Sequence, residues 1–343
     1  QAVAQVLMKK LDSSFSEFSY GFRPRRSAQM AVLKTLEYIN EGYDWVIDLD
    51  IEAYFDTVNH DKLISILREK NVNDSTTLHL IRKFMQAGIM EDGLVKPSRV
   101  GVQQGGPLSP ILSNVYLNKF DKELENRGLR FVRYADDCNI FVKSEMSANR
   151  VMKSVTSWLE RKLFLKVSAT KTKVVRPPES KFLGFTYLKR YGEWKCKPSN
   201  QSKMKIYDKC RRELIRRIGI SRPLAVTFKR INQIVVGWIN YYRIGVMKYF
   251  VDIFGQWLRH KIRVIILKQW KRPKTIYKNL YKMNRLFSCQ FSDEQIFSVA
   301  NSRRGLYSQA CGHVINNIIS PKFLGKRIGD RHGLINPLNY YLS

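Results

Sequence analysis

The run Phe131-Val132-Arg133-Tyr134-Ala135-Asp136-Asp137-Cys138-Asn139-Ile140-Phe141-Val142 sets two apolar, β-prone segments around adjacent carboxylates. That pattern predicts a β-hairpin with acid groups at its tip. Acids held there need a compensating cation, because desolvation costs roughly several kcal/mol per buried ion and like charges repel. A second acidic segment, Trp45-Val46-Ile47-Asp48-Leu49-Asp50-Ile51, is short and β-rich, and strand alternation puts Asp48 and Asp50 on one face. If Asp50 meets the hairpin tip, two or three carboxylates converge. Hard oxygen ligands from separate strands, with no His or Cys among them, suit Mg²⁺. A pair of such ions is the arrangement of a nucleotidyl transferase.

The charge balance points the same way. Sixty Lys and Arg against 29 Asp and Glu give a net charge of +31 over 343 residues, and so large an excess implies a polyanionic partner, nucleic acid above all. The excess is uneven: residues 1–190 hold 30 bases and 22 acids, and residues 191–343 hold 30 bases and 7 acids. The acids sit with the chemistry and the bases downstream. No apolar run approaches the roughly 18 to 20 residues of a membrane span, so the expected location is cytoplasmic, bound to nucleic acid and not to a membrane. The five cysteines are scattered without a C-x-x-C or Cys/His spacing, which supports neither zinc nor a disulfide framework. The five histidines are isolated in sequence and carry no catalytic assignment.

Along the chain, helices are expected from the apolar spacing at the N-terminus, around Ala31 to Ile39, after His60, over Thr76 to Ala87, and after a tight Val100-to-Gly106 loop with Pro107 in the first turn. Mixed with antiparallel strands, they predict an α+β domain. Beyond Pro177-Pro178 comes a strand over Phe182 to Tyr187 and a turn at Tyr191-Gly192. Three basic amphipathic helices follow: one from Ser202 through Ile218, one over Ile231 to Tyr242, and one from Phe250 to Trp270 with Phe254, Leu258 and Ile262 facing away from Arg259 and Arg263. From about Pro273 onward, short elements and turns are expected.

Five blocks in order resemble motifs A to E of the reverse transcriptases: Asp50-Ile51-Glu52-Ala53-Tyr54-Phe55-Asp56, Gln104-Gly105-Gly106-Pro107-Leu108-Ser109-Pro110, Tyr134-Ala135-Asp136-Asp137, Leu165 to Lys173, and Phe182-Leu183-Gly184-Phe185. Ser19-Tyr20-Gly21-Phe22-Arg23-Pro24, Phe55 to Leu63, Gly237-Trp238-Ile239-Asn240-Tyr241-Tyr242 and Ala300 to Gly305 resemble the group II intron branch, the reverse transcriptase/maturases. The resemblance implies a right-hand polymerase palm with partial fingers over 1–190, an α-helical thumb or maturase X domain over 191–275, and a small C-terminal nucleic-acid-binding segment over 276–343. It implies RNA-directed DNA synthesis together with binding of group II intron RNA as a splicing maturase that supports retrohoming, with a DNA target or primer and dNTPs as further partners. The alternatives are another prokaryotic reverse transcriptase, of retron or CRISPR-associated type, and a non-catalytic RNA-binding splicing cofactor.

Carried over residue by residue, the resemblance makes Asp50, Asp136 and Asp137 catalytic and, with the Ile51 carbonyl, ligands of two Mg²⁺ ions. It makes Phe55 a gate against a ribose 2′-OH, Gln104 and Gly105 contacts of the incoming nucleotide, and Lys171 the group that protonates pyrophosphate. Asp48 is expected to be a solvated strand residue, and Asp56 and Asp61 capping or structural acids. For nucleic acid the candidates are Arg23 and Arg25 in the first loop and Lys205, Lys209, Arg211, Arg212, Arg216, Tyr241, Tyr242, Arg259 and Arg263 in the basic helices. Two departures stand out: Val102-Gln103 replaces the family's Thr-Pro before the Gln-Gly-Gly block, and the family's N-terminal finger blocks do not occur in this sequence, which reads as N-terminally incomplete. No Cys/His endonuclease module of H-N-H type occurs either.

Overall fold

Helix α1 (Ala2–Leu11) buries Ala4, Leu7 and Leu11 along one stripe. Ser27 starts α2 (Ala28–Asn40) by accepting the Met30 amide. Strand β1 (Trp45–Leu49) and the single turn α3 (Tyr54–Thr57) lead to α4 (His60–Glu69), capped by Asn59, and α5 (Ser75–Gln86), capped by Asp74. A short hairpin of β2 (Ile89–Glu91) and β3 (Leu94–Lys96) precedes α6 (Ser109–Asn126). Pro110, rather than Pro107, holds the first turn of α6: its preset φ and missing N–H suit that place, and Leu108 is the cap. Next come β4 (Arg130–Tyr134), β5 (Asp137–Val142), α7 (Glu145–Trp158), β6 (Lys173–Val175), and the hairpin of β7 (Phe185–Arg190) with β8 (Glu193–Pro198), turning at Tyr191-Gly192. The computed structural model describes residues 1–87, 89–91, 94–96, 100–103, 105–326 and 333–343. It divides at Cys196/Lys197 into two units.

In the first unit, β4, β5, β1 and β6 form an antiparallel sheet in that order. On one face Leu49, Phe131 and Ile140 join Leu112, Val115 and Phe120 of α6 and Val155 of α7 in a single core. On the other, Tyr38 of α2 rests on Phe141 with ring centroids 5.5 Å apart. With both faces covered, Val46 and Ile47 are both buried and β1 does not alternate.

One buried charge ties this sheet to its surroundings. Arg133, in the middle of the hairpin strand β4, is 0% exposed. Its Nε and Nη2 donate to the two Asp121 carboxylate oxygens at 2.6 Å each, its Nη1 to the Ala135 carbonyl at 2.7 Å and Asn114 Oδ1 at 3.3 Å, and its Nη2 to Ser19 Oγ at 2.8 Å. Burial lowers the Arg133 guanidinium, but the paired Asp121 carboxylate more than offsets this and holds it above its ordinary value. The fork therefore joins α6, the first loop and the hairpin turn.

The second unit, Lys197–Ser343, is helical: α8 (Asn200–Glu213), α9 (Arg216–Ser221), α10 (Leu224–Tyr242), α11 (Lys248–Trp270), α12 (Pro273–Leu286), α13 (Asp293–Ala300), α14 (Leu306–Gln309), α15 (His313–Ile318), α16 (Pro321–Gly325) and α17 (Pro337–Leu342). Its core gathers Ile206 and Cys210, Ile231 and Val235, Phe254, Leu258 and Ile262, and Ile276 and Leu280. The single helix expected from Ser202 through Ile218 is instead two. The chain leaves helical geometry at Leu214 and restarts at Arg216, which lets Gln269 of α11 donate to the Gly219 and Arg222 carbonyls at 2.9 Å each. Helix α12 runs through the expected border at 275/276. No helix among the described residues is long and apolar enough to cross a membrane.

Removing one partner of the Arg133–Asp121 pair strands a buried charge. Asp121→Ala is expected to lower unfolding stability by about 3–5 kcal/mol in a urea titration. A loss below about 1 kcal/mol would show that the pair does not hold the hairpin.

Candidate active site

The Asp136-Asp137 tip is built by backbone contacts that surround Arg133. Tyr20 donates its amide to the Arg133 carbonyl and Arg133 donates its own to the Phe18 carbonyl, both at 2.9 Å. Asn114 Nδ2 donates to the Gly21 carbonyl at 2.8 Å. Only glycine fits at position 21, because a Cβ there would stand 2.3 Å from the Ala135 nitrogen. Pressed from this side, Ala135 takes φ +59°, and a two-residue turn closes between Tyr134 and Asp137.

Strand register then sets the level of the second acid. Leu49 pairs with Cys138 in the antiparallel β1–β5 ladder, so the next step puts Asp50 level with Asp137. Past Leu49 the chain is held by the neighbouring loop: Ser168 donates its amide to the Asp50 carbonyl at 2.9 Å, Asp50 donates its amide to Thr172 Oγ1 at 3.2 Å, and Ile51 bridges Val167. The same loop brings Lys171 Nζ to 3.4 Å from Asp50 Oδ2, with the lysine side chain 71% exposed. Asp137 is raised to about 6, first by burial against the sheet, then by the charges of Asp136 and Asp50, with Lys171 opposing. It is the exposed first residue of β5, next to the turn, and the like charges are the part that a cation would remove.

The donors are carboxylates and a backbone carbonyl, the set that hard divalent cations prefer, and the mutual repulsion at Asp137 is charge that such an ion would neutralise. By chemistry the residues fit the metal. In geometry, no three His, Cys, Asp or Glu side chains among the described residues already meet around one point.

The other expected site residues are distributed differently. Phe55 is half-buried and packs edge-on against Tyr54 at 5.3 Å. Gly105 has φ +85° at an exposed turn, and Gln104 lies outside the described residues. Asp48 is not solvated: it accepts from Ser180 Oγ at 2.7 Å, and burial raises it to about 6 against that bond and Lys173. Asp61 pairs with Arg82, and Asp56 is exposed.

Among the expected nucleic-acid contacts, Arg25, Lys205, Lys209, Arg212 and Arg216 are exposed, and Tyr241, Tyr242 and Arg259 are half-buried. Arg211 pairs with Asp208 at 2.9 Å and lies near the Tyr207 and Trp257 rings. Two candidates are spent inside the fold. The Arg23 side chain, 5% exposed, pairs with Asp12 at 2.7 Å and donates to the Asp12, Ser16 and Ser19 carbonyls. Arg263, 7% exposed, donates to the Ile319 and Asn316 carbonyls at the end of α15. Their donors are consumed where phosphate does not reach. Sequence reasoning passed over Arg133, Asp121, Asn114 and Ser19; the available signal was a charge inside the apolar strand pattern of Phe131 to Val142. It also kept Cys311 and His260 apart, which the fold brings to 3.5 Å.

The family described as "Reverse transcriptase (RNA-dependent DNA polymerase)" matches residues 1–187, and "Group II intron, maturase-specific domain" matches residues 203–284. Protein YkfC of Escherichia coli is 30% identical over 224 residues, 53% of this chain and 58% of that protein. Group II intron-encoded protein LtrA of Lactococcus lactis is 36% identical over 133 residues, 39% of this chain and 22% of that protein. A telomerase structure from Candida tropicalis aligns over 90% of this chain and 55% of that chain, with 12% identity and a TM-score of 0.48. The chain thus spans less than two thirds of each of these relatives.

Because Asp48 titrates above the ordinary carboxylate value, its neutral form favours the folded chain, and the stability it lends below about pH 4 is lost as pH rises through about 6. Asp48→Asn is therefore expected to match the parent at pH 4 and to be more stable by roughly 1–3 kcal/mol at pH 7.5. A variant less stable than the parent at pH 7.5, in the same urea titrations, would reverse this sign.

Proposed function

The chain belongs to the reverse transcriptase (RNA-dependent DNA polymerase) family, and on that premise we propose that it copies RNA into DNA by nucleotidyl transfer at Asp50, Asp136 and Asp137. The observation that carries this reading is the β1–β5 register, in which Asp50 stands level with Asp137 beside the hairpin turn. The second unit, with its maturase-specific match, binds group II intron RNA as a splicing maturase that supports retrohoming, and the DNA primer or target and dNTPs are the further partners. Residues 1–190 act as palm and residual fingers, 191–275 as thumb, and 276–343 as a nucleic-acid-binding segment. A cytoplasmic location goes with this reading.

Asp50, Asp136, Asp137 and the Ile51 carbonyl would hold the Mg²⁺ pair. When bound, such ions supply Lewis acidity at a primer 3′-hydroxyl and charge at the pyrophosphate. The chain's own residues do the rest. The Arg133 fork holds the hairpin turn at the Ala135 carbonyl, and the β1–β5 register keeps Asp137 level with Asp50. Lys171, 3.4 Å from Asp50 and exposed, holds a proton within reach of a leaving pyrophosphate. Phe55, seated edge-on on Tyr54, gives a fixed ring against which a ribose 2′-OH would collide. Gly105, at φ +85°, lets the backbone approach the incoming nucleotide.

The test is Mg²⁺-dependent primer extension on an RNA template. Asp136→Asn is expected to reduce extension to background while RNA affinity in filter binding stays within about twofold, since charge at the metal site is lost and the basic surface is kept. Parallel loss of both would refute the separation of the two activities, and RNA binding without any extension by the parent chain would favour the non-catalytic splicing cofactor. Phe55→Ala is expected to raise ribonucleotide incorporation relative to dNTP by about 10- to 100-fold; an unchanged ratio would remove the gate.

A further inference from the structure

Helices α8 and α10 enclose a groove of about 370 Å³. Lys205 and Lys209 stand four residues apart on its α8 side, and therefore on one face of that helix. Their charge is unspent. The acids of α8 are taken by arginines, Asp208 by Arg211 at 2.9 Å and Glu213 by Arg222 at 2.7 Å and Arg230 at 3.5 Å. Among the described residues, neither lysine forms an ion pair.

The α10 side sets Gln233 beside Ile234 and the aromatic rings of Trp238, Tyr241 and Tyr242, and it is open at one residue. Gly237 is exposed in mid-helix, and nothing lies within 4 Å of where its Cβ would be. Glycine is a poor helix former there, and no packing neighbour requires it. The walls beside this gap are rigid aromatics. Trp238 Nε1 donates to the Ser202 carbonyl at 3.2 Å, Tyr242 OH donates to Ser202 Oγ at 2.9 Å, and the two rings touch with centroids 4.6 Å apart. Tyr241 packs edge-on against Tyr242 at 4.8 Å.

We propose that this groove takes one unpaired nucleobase of a bound RNA, the ring entering over Gly237 beside Trp238 and Tyr241, with the flanking phosphates on Lys205 and Lys209. Paired cations beside an aromatic-walled slot match a nucleotide that has left its stack, and a duplex offers phosphates without a free base. The inference rests on the RNA-binding reading above and adds what part of an RNA the second unit reads.

The test uses the full chain and a 12-nucleotide single-stranded RNA carrying 2-aminopurine, with its fully paired duplex and poly-glutamate as comparators. Gly237→Leu fills the gap with a better helix former, so the melting temperature is expected to hold or rise. Affinity for the single strand is expected to fall about tenfold with an unchanged salt slope, and the 2-aminopurine emission change to vanish. Lys205→Gln with Lys209→Gln is expected to flatten the salt slope by about 1.4. Unchanged affinity and emission in Gly237→Leu would overturn the groove while leaving RNA binding intact. An equal loss on the duplex, or poly-glutamate binding as tight as RNA, would overturn the unpaired-base assignment. A parent chain that binds no RNA would overturn both this and the reading beneath it.

Discussion

The buried Arg133 guanidinium is the constraint on which the first unit depends. All of its donors point into the protein, and their acceptors come from three separate parts of the chain: Asp121 and Asn114 on α6, Ser19 in the first loop, and the Ala135 carbonyl at the hairpin turn. An unpaired charge in that position would be too costly to keep, so the four groups must assemble together or not at all. The consequence is positional. The hairpin that carries Asp136 and Asp137 cannot slide or tilt relative to α6 without breaking the fork, and the approach at Gly21 closes the remaining side.

Stability and chemistry pull against each other around that anchor. The tip acids lie beside Asp50, with the exposed Lys171 opposing their charge among the described residues, and the result is an Asp137 that resists ionising. Like charges held this close lower the stability of the chain, and they mark the hairpin tip as a candidate functional site. Asp48 shows the contrasting case two residues away. Its charge is also unfavourable, yet its carboxylate is satisfied by Ser180 and turned into the protein, so it contributes to structure and not to the cluster.

The second unit divides its basic residues in the same manner. Arg263 and the ion pairs of Asp208 and Glu213 serve packing, whereas Lys205, Lys209, Arg212 and Arg216 reach solvent. Net charge alone says that a polyanion binds; only the accounting of donors says which bases remain available for it.

By itself, the sequence determined most of the elements: the apolar, β-prone segments in Phe131 to Val142 and Trp45 to Ile51, the spacing of Ile231, Val235 and Ile239, and the run of acids and bases are local patterns, legible because strand and helix signals are local. Tertiary structure alone decided which charges face outward. Arg23 and Arg263 look like surface bases in a linear reading and are buried by contacts with residues as far as 56 positions away; Asp48 and Asp50 look alike and diverge because β1 ends at Leu49. The break at Leu214 belongs with these, since helix spacing continues through it and only packing against α11 explains it. Burial and pairing are properties of distant neighbours, and no local period encodes them.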